Sequence, residues 1–497
     1  MRQVRTLSKE SVSRSRLFGL LVFAIVGARV LGLFSNQLDL GTDEAQYWHW
    51  SRSFDFGYFS KPPLIAWIIG ASTALFGNAE WAVRLAFPLL HGGTAWALYL
   101  LGRALYSDRV GFWAGLGYLA LPAASLSSGV ASTDAPLLLC WTSALALFAA
   151  SLERRTLAKS LALGLLIGAG FLAKYAMIYF ALGAGLTALM RRDARSFLLS
   201  GHGALVGAGA LAAMSPNLLW NARNGFSTVS HTAANANWGA SLFNPDAFLK
   251  FFGDQFVVFG PLYFAALLAG AALIVMRGGR GRGAATSKAD RLLIAFSAPI
   301  LLIILAQAFI SRAHANWAAA AIPAVTLMTT AWLLNRQWTL LLKGVIAAHL
   351  ALGAGLLGLA AQPNWADEAG LANAFKRVRG WETTAEVVAE TARRQGGLPV
   401  IAQNRDVAAA LLYYGRGDET LAGRIRVHAP HPAPRNHFEA ALPIMRAEEP
   451  SLFVTKSAAP PPETLGESEF LGAACIRTGQ GKVRTVFFFV VGAPSAD

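Results

Sequence analysis

The sequence predicts a mainly α-helical, polytopic membrane protein with about eleven transmembrane helices and a small extracytoplasmic α/β domain at its C-terminal end. Of its 497 residues, 55% are hydrophobic, and the mean hydropathy is +0.44. Charged residues make up 14% of the chain, whereas soluble domains contain roughly 25%. Apolar runs long enough to cross a bilayer recur as far as residue 361, and the remaining sequence is mixed polar. These three observations exclude a soluble protein.

The first apolar run follows five basic residues and is longer than the core of a signal peptide. It also lacks an obvious cleavage site of small residues, so we interpret it as an uncleaved first span. A helical span requires about 20 apolar residues, although several runs here are short or share one apolar block. The eleven predicted spans lie near 17–37, 81–102, 111–130, 136–151, 158–173, 175–190, 198–220, 255–276, 292–310, 317–334 and 339–361.

Lysine and arginine are distributed unequally between the two sides that these spans define. If the N-terminus is cytoplasmic, twenty basic residues fall in or beside cytoplasmic loops and seven in or beside outer loops. This is the positive-inside pattern of multi-pass membrane proteins. The odd number of spans then places the C-terminal domain outside. The net charge of +15 has the same origin, so nucleic acid is not an expected partner.

The composition divides the chain into a membrane domain, 1–361, and an α/β domain, 362–497. In the first domain, the 62–76 segment is too short to span comfortably, so it lies in the interface or re-enters. The basic, glycine-rich segment 277–291 is expected to be a flexible cytoplasmic linker. In the second domain, amphipathic helices are expected over 365–394 and in RDVAAALLYYGR, and strands in PVIAQN, SLFVTK and VRTVFFFVVG.

The stretch Gly41–Pro63 is the first polar segment after the first span, and it concentrates acidic, basic and aromatic residues. A short helix that begins near Asp43 places Asp43, Tyr47 and Trp50 on one face. Adjacent carboxylates at the edge of the hydrocarbon, Asp43 and Glu44, are costly unless they are used, which favours a catalytic role. A membrane-surface helix is the alternative, because Trp and Tyr also favour the interface.

Charged residues in or beside other apolar runs are further candidates. Arg29 lies within the first run and is a candidate phosphate ligand, unless its side chain snorkels to the surface. Asp134 precedes the fourth span and either caps that helix or faces Asp43 as a second acidic group. Lys174 at an outer turn either serves an anionic head group or is a solvated residue of a helix connection.

Two outer loops add donors that suit phosphate and sugar. Arg312 offers a fork of donors for phosphate, and His314 beside it can give or take a proton; alternatively, both residues anchor the chain at the interface. The loop after the seventh span is rich in amides and aromatic rings, which suit sugar hydroxyls and ring faces. The candidate substrate-binding residues are Tyr47, Tyr58, Asn221, His314 and Asn316.

This gathering of acids and cations on the outer side fits a substrate with a phosphate at head-group level and a tail in the lipid. Group transfer from such a donor needs positive charge on the leaving phosphate and a carboxylate that takes a proton from the attacking hydroxyl. Lys61, Arg312 and Arg29 would supply the first, and Asp43 the second. The sequence has no short-range metal-ligand spacing such as HExxH. No cofactor is therefore certain, and a divalent cation stays open.

The membrane domain contains a series of motifs, which are, in chain order, DEAQYW, GYFSKPPLIAW, WAVRL, STDAPLL, AKYAM, SPNLLWNARNGF and AHANW. As a set, these motifs resemble the bacterial lipid-linked sugar transferases of the GT-C superfamily. More narrowly, they resemble the family-39 and aminoarabinose or galacturonic acid transferase-like group. The resemblance covers roughly residues 16–335 and is much thinner in the C-terminal domain.

The resemblance implies an inverting glycosyltransferase of the bacterial inner membrane that works on the periplasmic side. The sugar donor would be a polyprenyl phosphate, and the acceptor would be lipid A, a polysaccharide, a protein or a second lipid of the envelope. Asp43 matches the catalytic carboxylate of the family, Glu44 the acid beside it, and Lys61 a position near the donor phosphate. Many relatives have an acid or a His before the two prolines, so Lys61 departs from their pattern. Membrane lipids are further expected partners.

Two other classes of function stay open from the residues alone. A transporter or lipid flippase predicts internal repeats and ionisable residues at mid-membrane, whereas the charges here lie mostly at the rim of the spans. A non-catalytic partner of an envelope-assembly complex would use the outer domain as its contact surface.

Overall fold

The structure is a computed structural model, and it describes residues 9–238, 242–277 and 287–492. Most of the predicted linker 277–291 lies outside the described residues, as do the basic residues Arg2 and Arg5 that precede the first span. The described chain consists mainly of helices, and a sheet forms near its C-terminal end.

Helices account for most of the described residues up to 361, and shorter helices follow. In the first half of the chain they are α1 (Lys9–Phe34), α2 (Thr42–Trp50), α3 (Leu64–Phe76), α4 (Glu80–Arg84), α5 (Ala86–Leu105), α6 (Asp108–Ala120), α7 (Pro122–Ser128), α8 (Asp134–Glu153), α9 (Leu157–Ala173), α10 (Ile178–Met190), α11 (Arg192–Leu198) and α12 (Gly201–Arg223). The later ones are α13 (Ser227–Ala234), α14 (Pro245–Val258), α15 (Pro261–Arg277), α16 (Lys288–Ala295), α17 (Ala298–Ile310), α18 (Ile322–Asn335), α19 (Thr339–Ala361), α20 (Pro363–Glu368), α21 (Ala372–Phe375), α22 (Trp381–Arg394), α23 (Arg405–Tyr414) and α24 (His437–Ala441). Turns of 3-10 helix occur at Tyr175–Met177, Ala315–Ala321, Lys376–Val378, Gly415–Gly417 and Glu463–Leu465.

Several helices begin where a short polar side chain satisfies their first backbone donors. The Ser107 hydroxyl accepts a hydrogen bond from the Val110 N–H at the start of α6, and the Thr156 hydroxyl accepts one from the Lys159 N–H at the start of α9. These caps stabilise helix ends that would otherwise leave donors unpaired. Local sequence thus fixes where these apolar helices begin.

Seven described helical segments are long and apolar enough to cross a membrane when α4 is counted with α5, α16 with α17, and the 3-10 turn before α18 with α18. These segments coincide with seven of the predicted spans. The number rises to nine if each of two bent pairs of described helices, α6 with α7 at 59° and α14 with α15 at 115°, is counted as one span. The spans predicted near 158–173 and 175–190 are also helical but shorter, and α3 has 13 residues. A polytopic helical protein is confirmed, and the number of spans stays a prediction.

The chain divides into two compact units. The first, here called the helical unit, comprises the residues up to Leu33, Lys61–Ile65 and Arg84–Leu356. The second, called the sheet unit, comprises Phe34–Ser60, Ala66–Val83 and the residues from Leu357 onward. The sequence did not indicate that residues of the first outer loop pack with the C-terminal residues.

The helical unit has a large core of aromatic and aliphatic side chains. Rings of Trp141, Phe148, Phe180 and Phe296 lie against one another, with Phe180 and Phe296 centroids 4.9 Å apart. Glycine allows the helix backbones to approach closely: a Cβ at Gly164 of α9 would lie 2.4 Å from a backbone oxygen of α12. Small residues at such contacts are typical of helix packing in membranes.

The sheet unit is built on six strands, namely β1 (Val400–Ala402), β2 (Ile425–His428), β3 (Pro443–Ile444), β4 (Ser451–Thr455), β5 (Ser468–Gly479) and β6 (Lys482–Val491). Their order is β3-β2-β1-β4-β6-β5, in which the first four are parallel and the last two antiparallel to their neighbours. In the register, Phe453 pairs with Phe489, and both rings lie in the core with Ile401. The three predicted strands correspond to β1, β4 and β6.

The helix α2, which opens the stretch singled out in the sequence, belongs to the sheet unit and packs against α23. The backbone N–H of Leu40 donates to the Tyr414 hydroxyl at 2.6 Å, and the rings of Trp48 and Tyr413 meet edge to face at 4.9 Å. Most of α2 is buried, with Asp43 as its exposed residue near the start. The aromatic side chains of α2 therefore pack inside the sheet unit, and the membrane-surface interpretation of this stretch stays a prediction.

Candidate active site

Within the helical unit, Asp134 is the centre of a buried polar cluster. The Lys174 ammonium donates to Asp134 Oδ1 at 2.6 Å, and the Asn316 amide donates to Asp134 Oδ2 at 2.6 Å. The side chains of Asp134 and Lys174 are only 8% and 18% exposed. Lys61 lies within electrostatic range of the same carboxylate. The structure thus brings together four residues that the sequence predicted from separate loops.

Three members of this cluster, Asp134, Lys174 and Asn316, lie at or near the ends of helical elements. Asp134 is the first residue of α8, preceded by Thr133 at the cap position. The prediction that Asp134 caps this helix is therefore wrong, because its carboxylate binds Lys174 and Asn316 instead. Lys174 is extended between α9 and the following 3-10 turn, and Asn316 lies in the 3-10 helix that precedes α18.

His314 lies two residues before Asn316 in an environment rich in positive charge. Burial and then the charges of Arg312, Lys250, Lys61 and Lys174 lower the pKa of His314. The imidazole is therefore neutral at pH 7, because its pKa lies below the ordinary value of about 6.5. Four cations close enough to act on one side chain form a positive region suited to an anionic ligand.

Asn221 forms a second polar group in the helical unit, together with two residues that the sequence analysis did not select. Its amide donates to the Tyr175 hydroxyl at 3.0 Å, and that hydroxyl donates to Asn217 Oδ1 at 2.9 Å. Asn217 and Asn221 are 2% and 1% exposed. Tyr175 directly follows Lys174, so this group supports the chain segment that carries the lysine.

Arg29 is buried between α1 and the bent pair α6 and α7. Its guanidinium donates to the hydroxyls of Ser128 and Ser125 at 3.0 and 2.9 Å and to the Leu119 carbonyl at 2.5 Å. These contacts tie three helices together. A side chain used in this way does not snorkel to the surface, and its role as a phosphate ligand stays a prediction.

In the sheet unit, Asp43 has a partner that the sequence did not reveal. Arg405, at the start of α23, donates to Asp43 Oδ1 at 2.5 Å and through its Nε to Gln46 Oε1 at 2.8 Å. The guanidinium therefore holds two residues of α2 one turn apart with a single planar fork. The Asp43 side chain is 62% exposed, so a carboxylate with fixed direction faces solvent.

The neighbouring acid, Glu44, has a different setting. It is 2% exposed, and its Oε2 accepts a hydrogen bond from the backbone N–H of Gly41 at 2.9 Å. A carboxylate at this position satisfies a helix-start donor and complements the helix dipole. This contact secures the first turn of α2, which carries Asp43. The catalytic role predicted for Glu44 stays a prediction.

The two candidate tyrosines of this stretch pack around Trp50. The Tyr58 ring stacks on Trp50 at 4.9 Å, and Tyr47 lies 5.2 Å from it. The Tyr58 hydroxyl donates to the Ser53 carbonyl at 2.8 Å, and burial raises its pKa to about 12. Both rings are 5% exposed, so they anchor α2, and their binding to substrate stays a prediction.

Among the described residues, no group of three or more His, Cys, Asp or Glu side chains is arranged to hold a metal ion. The polar clusters consist instead of single carboxylates bound by Lys, Arg and amide donors. Such clusters suit the binding of anions and the transfer of a proton.

Comparison with known proteins gives consistent matches. Residues 60–220 match the family described as dolichyl-phosphate-mannose-protein mannosyltransferase. The lipid A galacturonosyltransferase RgtD of Rhizobium johnstonii is 33% identical over 431 residues, which are 85% of this chain and 88% of RgtD. An undecaprenyl phosphate-alpha-4-amino-4-deoxy-L-arabinose arabinosyl transferase of Pseudomonas fluorescens is 33% identical over 171 residues, which are 33% of this chain and 30% of that protein.

A solved structure agrees with the fold. The crystal structure of ArnT from Cupriavidus metallidurans bound to undecaprenyl phosphate aligns with a TM-score of 0.61 at 17% identity, covering 97% of this chain and 98% of ArnT. The sequence matches, with which the fold agrees, place this chain among the membrane glycosyltransferases of the GT-C superfamily. Within that class, this chain belongs to the lipid-linked-sugar glycosyltransferases, in the group of the aminoarabinose and galacturonic acid transferases. It is thus an enzyme that uses polyprenyl-phosphate sugars, rather than a transporter or a non-catalytic assembly partner.

Proposed function

We propose that this protein transfers a galacturonic acid residue from a polyprenyl phosphate to lipid A on the periplasmic side of the bacterial inner membrane. The observation that carries the proposal is the similarity to RgtD, which extends over most of both chains. The charge distribution of the sequence supports the orientation, with the N-terminus in the cytoplasm and the C-terminal domain in the periplasm. The domain boundary near residue 361 belongs to the same proposal.

The positive region around His314 supports an acidic sugar. A galacturonic acid donor carries a sugar carboxylate in addition to the phosphate, so it needs more positive charge than a neutral donor does. Lys61, Lys174, Lys250 and Arg312 all act electrostatically on His314. In our proposal, Lys61, Lys174 and Arg312 bind the phosphate, and Lys250, which pairs with Asp254 at 2.7 Å, exchanges that partner for the sugar carboxylate.

Asp43 is the general base of the proposed reaction. It takes the proton of an acceptor hydroxyl while the hydroxyl oxygen forms a bond to C1 of the sugar. The bond between C1 and the phosphate oxygen breaks with its electron pair, and polyprenyl phosphate departs as an anion. Attack opposite the leaving group inverts the configuration at C1. The cations proposed to bind the phosphate stabilise its developing charge.

The remaining candidate residues have supporting roles in this proposal. Asp134 positions Lys174, and Glu44 positions Asp43 by securing the start of α2. Arg29 joins the helices that lead to Asp134. The tyrosines hold α2 in place through Trp50. The exposed polar side chains proposed to bind sugar hydroxyls are His314 and Asn316, whereas the buried Asn221 supports the segment that carries Lys174 through its hydrogen bond to Tyr175.

The test is a transfer assay with purified full-length protein in nanodiscs. Polyprenyl phosphates that carry galacturonic acid, aminoarabinose or a neutral hexose are supplied with lipid A, and the products are identified by mass spectrometry. The proposal expects lipid A that has gained one hexuronic acid residue, together with free polyprenyl phosphate. Transfer of aminoarabinose or neutral hexose, without transfer of galacturonic acid, would contradict it.

The same assay tests whether transfer requires a divalent cation. Because lysine and arginine supply the positive charge in this proposal, treatment with EDTA is expected to leave the rate unchanged. Loss of transfer with EDTA and recovery with added Mg²⁺ or Mn²⁺ would show that a metal ion takes part.

A further inference from the structure

A groove of about 890 Å³ opens between α1, α6 and α19 of the helical unit. One end of the groove carries three basic side chains, Arg14, Arg109 and Lys343. The rest of its wall is almost entirely apolar. An anionic lipid has a charged head group at one end and apolar chains along the rest of its length. The groove has the complementary arrangement, with positive charge at one end and apolar surface elsewhere.

The groove lies at the other end of the helices from the Asp134 cluster. Arg109 is the second residue of α6 and Lys343 the fifth residue of α19, so both lie where their helices begin. Asp134 follows α6 and α7, beyond their far end. The charge pattern of the sequence assigns the basic end of the groove to the cytoplasmic leaflet. This groove is therefore separate from the candidate active site.

The basic end of the groove has an excess of positive charge. Arg14 is paired with Asp108 at 3.0 Å. Arg109 donates to the Thr339 hydroxyl at 2.8 Å, and the Lys343 ammonium lies 5.8 Å from the centre of the Trp113 ring. Within the described part of the chain, neither Arg109 nor Lys343 forms an ion pair with a carboxylate. Two cations are thus left for a ligand anion.

The apolar wall is suited to an alkyl chain. Along α1 it runs from Leu17 to Ile25, a length of about 12 Å at the helical rise of 1.5 Å per residue. Leu17 is 49% exposed, whereas Ile346 and Leu116 on the facing helices are 5% and 6% exposed. The wall therefore presents apolar surface that is open on the α1 side and backed by the core of the unit.

We propose that this groove binds one anionic phospholipid of the cytoplasmic leaflet. The lipid phosphate lies between Arg109 and Lys343, with Arg14 beside it, and one acyl chain lies along Leu17 and Ile346. Basic pockets between membrane helices on the cytoplasmic side are known to select anionic head groups. The bound lipid would join α1 to α6 and α19 in the unit that holds the Asp134 cluster.

The test is native mass spectrometry of the full-length protein from nanodiscs that contain equal amounts of phosphatidylglycerol and phosphatidylcholine. We expect one phosphatidylglycerol to be retained in preference to phosphatidylcholine. The double variant Arg109→Gln/Lys343→Gln should weaken this retention by roughly 30-fold, because two basic contacts are lost. The matched control, Arg192→Gln/Arg195→Gln, removes the same charge from exposed residues of α11 and should retain the lipid.

A second variant tests the apolar wall without a change in charge. Leu17→Trp enlarges an exposed residue of the groove and should reduce phosphatidylglycerol retention while the protein stays folded. Three results would overturn the proposal: equal retention by wild type and the Arg109/Lys343 variant, equal retention of phosphatidylcholine, and displacement of the phospholipid by an equimolar amount of polyprenyl phosphate.

Discussion

The contact between Arg405 and Asp43 is the most informative single interaction of the candidate site. An exposed ion pair of this kind contributes only about 0–1 kcal/mol to stability, so we interpret it as a device for orienting the carboxylate. The sequence identified Asp43 from its position after the first span. It did not identify Arg405, because 362 positions separate the two residues and no local pattern connects them.

Replacement of Arg405 tests this interpretation. Arg405→Gln should lower kcat by up to about 10²-fold, because Asp43 loses the fork that directs it, and the unfolding midpoint should change little. Arg405→Lys restores the charge without the fork and should recover only part of kcat. The control is Arg393→Gln, which removes the partner of Asp418 in a comparable exposed pair at 2.6 Å. Equal kcat for Arg405→Gln and Arg393→Gln would contradict the orienting role.

Substitutions in the buried pair of Asp134 and Lys174 should change stability, unlike the substitution of Arg405. Loss of one partner leaves an unpaired charge in a buried setting, which costs about 3–5 kcal/mol. We expect Asp134→Asn to destabilise the protein by that amount and the double variant Asp134→Asn/Lys174→Met to be clearly more stable than the sum of the two single changes. Unfolding in detergent micelles, analysed as a double-mutant cycle, measures this coupling. Strictly additive effects would show that the pair is not coupled.

His314 provides a prediction about pH. Because the charge of Arg312 contributes to the lowered pKa of His314, Arg312→Gln should raise that pKa. The wild-type imidazole stays neutral as the pH falls through the range in which an unperturbed histidine becomes protonated. The variant should become protonated at a higher pH than the wild type. NMR of ¹⁵N-labelled histidine in nanodiscs measures the shift, with Arg336→Gln, in the loop after α18, as the control. An unchanged or lower pKa in Arg312→Gln would remove the evidence for a positive region at this loop.

At the scale of helices and strands, the apolar runs predict the positions of the long helices, and the β-rich segments predict three of the six strands. Seven long helices coincide with predicted spans, and PVIAQN, SLFVTK and VRTVFFFVVG form β1, β4 and β6. The sequence missed β2, β3 and β5. Of these, β3 has two residues and β5 includes Gly472 and an irregular register, so neither has a clear alternating pattern. Such strands form because their neighbours offer hydrogen bonds, which a local pattern does not reveal.

The close approach of α9 and α12 can be tested at one glycine. Gly164→Ala places a methyl group 2.4 Å from the Val206 carbonyl oxygen, so the two backbones must separate at a cost of about 1–3 kcal/mol. Gly207→Ala in α12 meets no atom within 4 Å and should be neutral or slightly stabilising, since alanine favours helix. Thermal unfolding in detergent compares the two. Similar midpoints for both variants would contradict the close packing.

At the scale of the whole molecule, the positive-inside pattern makes a prediction about topology. Cys475 is exposed, whereas Cys140 is buried. A membrane-impermeant maleimide should label Cys475 in intact spheroplasts. In a Cys475→Ser background, Arg192→Cys should become labelled only after the membrane is permeabilised, because α11 is assigned to the cytoplasmic side. The reverse pattern would invert the proposed orientation.

The sequence predicted the class of fold and much of the candidate site, but not how residues are shared between the two units. Phe34–Ser60 and Ala66–Val83 belong to the sheet unit, although they lie among the first apolar runs. Their assignment depends on contacts with distant residues, such as Tyr414 with Glu80 and Trp381 with Asp39. Hydropathy places a segment relative to the membrane, and it contains no information about these partners.

The measurement that most directly tests the proposed catalysis is the transfer rate of Asp43→Asn in nanodiscs with donor and lipid A at saturation. If Asp43 removes the proton of the acceptor hydroxyl, kcat should fall by about 10²–10⁴-fold, and the Kd for polyprenyl phosphate should be unchanged, because the proposed phosphate ligands remain. Asp418→Asn should transfer at the wild-type rate. Transfer by Asp43→Asn at the wild-type rate would contradict the account, because the proton would then go to another group.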